Sequence, residues 1–147
     1  MRVAVGADQG GYILKDPIIE FLSEQGHEVL DLGIYRLESV DYPDYGEKVA
    51  RAVAAGQAER GIVICGTGIG VSLAANRVPG IRAALCTDCY MARMAREHND
   101  AQVLCLGGRV IGAGLALDIV HVFLTCQFEG GRHARRVNKI MALERKE

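Results

Sequence analysis

Short β-branched runs alternate along the chain with longer stretches in which apolar residues recur at helical spacing. Arg2–Gly6 reads as a first strand, and a helix follows from Gly11 to Gln25, closed by Gly26. Pro17 falls inside that helix and either delays its start to about Asp16 or bends it there. Glu28–Leu32 reads as a second strand, and Gly33–Tyr45 as a polar loop containing Asp41-Tyr42-Pro43-Asp44-Tyr45. A helix over Tyr45–Ala55 then ends at Gly56. Gly61–Cys65 is a continuous apolar strand, as expected at the buried centre of a sheet. Arg82–Cys86 and Gln102–Leu106 read as the fourth and fifth strands, with a helix over Asp88–Glu97 between them. Ala113–Thr125 is an amphipathic helix and His133–Arg145 a basic final one. This alternation predicts one α/β domain over residues 1–147: a doubly wound, five-stranded, mainly parallel sheet with helices on both faces and a C-terminal helix. Such sheets bind ligands at the carboxyl ends of their strands, so a site is expected in the loops after Gly6, Cys65, Cys86 and Leu106.

Composition narrows the partners. Half the residues are apolar and 24% are charged, which excludes a disordered chain. The net charge of −1 lacks the basic excess of a nucleic-acid binder. Beneath that balance lies a split: residues 1–75 carry six basic and eleven acidic side chains, and residues 76–147 carry eleven and seven. No apolar run approaches the ~18 residues of a membrane helix, and Val3-Ala4-Val5 is too short for a signal-peptide core. Five cysteines, an odd number in mostly apolar settings, fit a reduced cytoplasmic compartment better than a disulfide scaffold.

The strongest chemical signal is Cys65-Gly66-Thr67-Gly68-Ile69-Gly70-Val71-Ser72, alternating glycines leading from a strand into a helix. Backbone N–H groups of such a loop can converge on an anion, and the spacing is neither a dinucleotide fingerprint nor a Walker A loop. The bland alternative is a tight strand-to-helix turn. Cys65, just before a helix N-terminus, is either a candidate base or nucleophile or a small buried hydrophobe. Asp8 follows the first strand and either holds sugar hydroxyls or caps the next helix. His98-Asn99-Asp100 supplies a proton carrier or a solvated loop histidine. Arg109, Arg132 and Arg136 form a basic set, Arg132 and Arg136 on one helical face, suited to a phosphate or to plain solvation. Cys86-Thr87-Asp88-Cys89 is formally a C-x-x-C redox pair, and no spacing for a zinc site accompanies it.

Taken in order, Gly6-Ala7-Asp8, Asp41-Tyr42-Pro43-Asp44-Tyr45, Gly61–Ala75, Asn76–Ala84, Glu97-His98-Asn99-Asp100 and Gly130-Gly131-Arg132-His133 resemble the ribose-5-phosphate isomerase type B family. That family shares a superfamily with galactose-6-phosphate and allose-6-phosphate isomerases. The resemblance spans Met1 to about Arg145. It implies a Rossmann-like aldose–ketose isomerase with no metal and no cofactor, assembled as a homodimer or dimer of dimers with active sites at the subunit interface. It further implies that Cys65 moves a proton between C1 and C2 through an enediolate and that His98 opens the furanose ring. The amides of Gly66, Gly68, Ile69 and Gly70 and the Thr67 hydroxyl would stabilise the enediolate, and Asp8 and Asn99 would hold substrate oxygens. Arg109, Arg132 and Arg136 match phosphate-binding or substrate-entry positions. One position departs: the family usually has histidine after the aspartate, where this chain has Gln9. Glutamine donates a hydrogen bond without charge, which leaves a six-carbon sugar phosphate or an unphosphorylated aldose open as substrates. A non-catalytic sugar-phosphate-binding module would use the same glycine loop and arginines.

Overall fold

A computed structural model describes residues 1–145; residues 146 and 147, the end of the expected domain, lie outside the described residues. Five strands, β1 (Arg2–Ala7), β2 (Glu28–Asp31), β3 (Arg60–Cys65), β4 (Ala83–Leu85) and β5 (Val103–Gly107), form one sheet in the order β2-β1-β3-β5-β4. All four pairings are parallel. Six helices accompany them: α1 (Tyr12–Glu24), α2 (Tyr42–Ala54), α3 (Ile69–Ala75), α4 (Cys89–Glu97), α5 (Ala113–Thr125) and α6 (Arg132–Ala142), the last followed by a 3-10 turn over Leu143–Arg145.

The direction of each crossover decides its face. Right-handed connections put helices on opposite faces when the chain moves in opposite directions along the sheet. The steps β1 to β2 and β4 to β5 run one way, and α1 and α4, with α5, cover one face. The steps β2 to β3 and β3 to β4 run the other way, and α2 and α3 cover the second face. Strand side chains alternate accordingly. Val3, Val5, Ile62, Ile64, Leu104 and Leu106 meet Ile18, Leu22, Ile119 and Phe123 on the first face. Ala4, Val63, Cys65, Val103 and Cys105 meet Val49, Ala50, Val71 and Ala75 on the second. Cys65 therefore ends the central strand facing α2 and α3. Among the described residues no helix is long and apolar enough to cross a membrane.

Two boundaries differ from the sequence reading. Helix α1 begins at Tyr12 and runs through Pro17 without a delayed start. The segment Asp41–Tyr45 is a helix start rather than loop: Asp41 is the N-cap of α2 and Pro43 lies in its first turn. Proline is tolerated there because the first-turn N–H groups have no helical carbonyl to reach.

Candidate active site

The strand order reverses between β1 and β3, and the loops leaving these strands meet at that switch point. After β1, Asp8 is buried, and its Oδ1 accepts the N–H groups of Gly10 at 2.8 Å and Gly11 at 3.1 Å. One carboxylate oxygen thus shapes the turn, and the other takes no protein donor among the described residues. A side chain at Gly10 would place its Cβ 2.7 Å from the Gly66 nitrogen, so only glycine lets the two loops touch. The loop after β5 closes the third side: the Gly108 amide donates to the Cys65 carbonyl at 2.8 Å and the Arg109 amide to that of Gly66 at 3.0 Å.

Inside this cradle the Gly68 amide donates to Cys65 Sγ at 3.1 Å. The sulfur is presented as an acceptor, the role a proton-abstracting base must fill. Gly68 reaches it with φ of 83°, a left-handed conformation that favours glycine. Thr67 Oγ1 accepts the Ile69 amide at 3.1 Å. The amides of Gly68 and Ile69, expected to face a ligand, are therefore spent within the loop. The Gly70 amide, in the first turn of α3, has no helical carbonyl before it.

A hollow of about 490 Å³ opens over Cys65, lined also by Asp8, Gln9, Thr67, Tyr42, Leu73 and Arg109. The Arg109 guanidinium lies across Gly66 and has no carboxylate partner among the described residues. Gln9 Oε1 accepts the Val40 amide at 3.0 Å, so the side chain ties the 34–41 loop to the rim with its oxygen already engaged. Tyr42 joins the lining without a role assigned from sequence, where its segment reads as polar loop. As the first residue of α2 its ring covers Gly70, where a Cβ would collide with it.

The remaining expected residues lie elsewhere. His98 caps the C-terminus of α4, which leads into the start of β5, whereas Cys65 stands opposite Gly107 at the end of β5. The two ends are separated by roughly 15 Å at ~3.3 Å per residue. Asp100, with φ of 48°, bends the loop. Arg82 grips the Asn99 and Asp100 carbonyls at 3.1 and 2.8 Å, and Arg96 the Ala101 carbonyl at 2.6 Å. These clamps fix His98 and Asn99. Helix α6 brings Arg132 and Arg136 to the same end, because His133 stacks on His98 with ring centres 4.0 Å apart and planes 9° from parallel. Glu129 Oε1 faces Nε2 of both rings, at 3.3 Å from His98 and 3.4 Å from His133. Burial, and then the facing His98 and Arg132, hold His133 below the ordinary imidazole value. The three ligand atoms lie within 4.8 Å, but lone pairs of parallel stacked rings run side by side instead of converging on one ion.

Cys86 is buried and its thiol is pushed up to about 12, by burial and then by Asp88, which opposes the thiolate a redox couple needs.

A parallel α/β sheet carrying a sulfur acceptor, a carboxylate and an unpaired guanidinium at its switch point has the layout of an enzyme for small anionic ligands. Residues 3–140 match the Ribose/Galactose Isomerase family, and the chain belongs to it. It is 49% identical over 145 residues to ribose-5-phosphate isomerase B of Escherichia coli (strain K12), covering 99% of this chain and 97% of that protein. The solved ribose-5-phosphate isomerase B of Clostridium thermocellum superposes with a TM-score of 0.98 at 61% identity, with 99% of each chain covered. The enzyme of Mycoplasma genitalium, solved with bound ribulose-5-phosphate, superposes with a TM-score of 0.94 at 40% identity, covering 99% of this chain and 97% of that one.

Proposed function

We propose that this sugar-phosphate isomerase interconverts ribose 5-phosphate and ribulose 5-phosphate through an enediolate. The observation that carries the reading is Cys65 Sγ, held as an acceptor on the floor of a hollow that also holds the unpaired Arg109 cation. In the aldose-to-ketose direction the C2 proton passes to Cys65 sulfur, and the C2 electron pair forms the C1–C2 double bond as negative charge moves to O1. The Gly70 amide and Thr67 hydroxyl donate to that oxygen, a contribution of about 10²–10³ in rate per donor. The sulfur then returns the proton to C1, and the O2 proton passes to O1 as the C2 carbonyl forms. Asp8 and Asn99 hold hydroxyls, and Arg109 with Arg132 and Arg136 holds the phosphate, orienting the carbons at the sulfur.

His98 opens the furanose ring. Because His98, Asn99, Arg132 and Arg136 stand at the far end of the sheet from Cys65, they serve the site of a second copy. The working enzyme is a homodimer, or a dimer of dimers, of the cytoplasm. Gln9 favours a second reading, a six-carbon aldose phosphate such as allose 6-phosphate or galactose 6-phosphate, since it brings no charge to the rim. A turnover panel of five- and six-carbon aldose phosphates and their unphosphorylated counterparts tests both. Ribose 5-phosphate is expected to have the highest kcat/KM; a six-carbon phosphate ahead of it favours the second reading, and no ketose from any sugar refutes both.

A further inference from the structure

Three groups outside the Cys65 hollow form a unit that the proposed chemistry leaves without a task. Glu129 and His133 both address His98, from different elements: His98 ends α4, Glu129 lies in the connection after α5, and His133 is the second residue of α6. We propose that Glu129 and His133 are positioning residues for the ring-opening histidine, the carboxylate selecting the His98 tautomer and the stacked imidazole fixing its ring plane. This rests on the isomerase reading above.

The Glu129 carboxylate, when ionised, can only accept hydrogen bonds. It lies 3.3 and 3.4 Å from the two Nε2 atoms, and its charge favours the tautomer that carries the hydrogen there. His98 then keeps its Nδ1 lone pair as the open proton acceptor, which is the form that can take the anomeric O1 proton. The same ring, once protonated, can deliver a proton to the ring oxygen as the C1–O bond breaks. One proton leaves O1 and one reaches the ring oxygen, so the step balances.

Exposure separates the roles of the two rings. The His98 side chain is 36% exposed and can meet a ligand, whereas His133 at 8% is the backing plate. Two stacked imidazolium cations at 4.0 Å would repel, and Arg132 adds to that field. His133 is thereby kept neutral, and the exposed His98 ring is the one a ligand can reach. The backbone is arranged to hold this geometry. The Glu129 amide donates to the Glu97 carbonyl at 3.0 Å, next to His98, and Gly130 and Gly131, at φ of 70° and 56°, turn the chain so that His133 lands over the ring. Among the described residues Glu129 pairs with no arginine or lysine, so its carboxylate has only the two histidines to serve.

A purely structural clasp between α4 and α6 would predict something different, and ring opening can be read apart from enediolate formation. Ribulose 5-phosphate has no free 5-hydroxyl and does not close a furanose, so exchange of its C1 hydrogen with deuterium from solvent needs the Cys65 chemistry but not the ring-opening step. Wild type and Glu129→Gln, Glu129→Ala, His133→Ala and His133→Phe proteins are assayed for ribose 5-phosphate turnover and, by NMR, for deuterium entry at C1 of ribulose 5-phosphate. The expected result is turnover lowered about 10–100-fold in both Glu129 variants, with exchange within about twofold of wild type. His133→Phe, which retains a flat ring, should recover part of the turnover lost in His133→Ala. Turnover and exchange falling in step, or neither changing in the Glu129 variants, overturns the proposal. Glu129 is exposed, so its variants remain informative should His133→Ala fail to fold. A wild-type protein that neither isomerises nor exchanges refutes the isomerase reading itself, a distinguishable outcome.

Discussion

Replacing Cys65 by alanine should silence the chemistry while sparing the fold, and the structure sets both magnitudes. Cys65 is 5% exposed, and its sulfur accepts the Gly68 amide at 3.1 Å. Removing one buried sulfur atom costs on the order of 1 kcal/mol of packing. The Gly68 N–H loses its acceptor beside an open hollow where water can replace it, which keeps that loss near the lower end of about 1–3 kcal/mol. The sum is about 2 kcal/mol, a fall in Tm of roughly 4–8 °C for a chain of this size. Activity is a different matter. The nearest alternative acceptor, Asp8, already spends one oxygen on the Gly10 and Gly11 amides. Loss of a general base typically lowers kcat by about 10²–10⁴, or roughly 2.7–5.4 kcal/mol on the barrier. Cys65→Ser separates the two effects, since its hydroxyl can still accept the Gly68 amide but is a poor base. It should unfold closer to wild type and remain as inactive as the alanine variant. The assay is ketose formation from ribose 5-phosphate with deuterium incorporation, alongside thermal unfolding and ribose 5-phosphate binding by calorimetry. A folded Cys65→Ala protein with kcat within tenfold of wild type would refute the assignment of the base.

Lys15 is 2% exposed and pairs with Asp31 at 2.8 Å, so Asp31→Ala should destabilise by about 3–5 kcal/mol, leaving a buried ammonium unpaired. Lys15→Met leaves only a partly exposed carboxylate and should cost less; chemical denaturation giving the reverse order would contradict the burial argument. His133 is held below its ordinary value, so the unfolded chain binds that proton more readily; its contribution to stability is present above about pH 6.5 and is lost as pH falls below that and through the lower value of the folded ring. Thermal unfolding between about pH 7.5 and 5.5 should show a Tm decline that flattens in His133→Phe, and an unchanged slope would reject this origin. Co-refolding equal amounts of inactive Cys65→Ala and His98→Asn proteins should restore about a quarter of wild-type turnover, because half the dimers then contain one intact site. No recovery would argue that each site draws on a single chain.

The fold was largely legible because hydrophobic periodicity reports burial directly. The apolar run at Gly61–Cys65 is buried on both faces, and the glycine-bounded helices fall where their punctuation indicates. Tyr42 was not legible. The polar run through Gly33–Tyr45 reads as loop, yet Asp41, Pro43 and Asp44 are also the marks of a helix start. The engaged amides of Gly68 and Ile69 were equally hidden, since a glycine loop shows how many donors exist but not where they point. Glu129 and His133 stand four apart, as residues on one helical face do, yet only three dimensions reveal that both turn toward His98.

What sequence order conceals most thoroughly is which end of a strand a loop belongs to. Arg109 stands with Cys65 at the carboxyl ends of the strands, and Arg132 and Arg136 stand with His98 at the opposite edge. A phosphate a few ångströms across cannot touch both groups across roughly 15 Å of sheet. A single chain would therefore hold a base without a ring-opener and one phosphate cation without the other two. On the proposed reading a twofold axis cures both deficits at once, laying the carboxyl edge of one protomer against the far edge of its partner, twice. The two candidate sets also come largely from different stretches of the chain. The half carrying six basic and eleven acidic groups supplies Asp8 and Cys65, and the half carrying eleven and seven supplies His98, Arg132 and Arg136. On that reading the arginines left without carboxylates meet where a sugar phosphate would supply the anion.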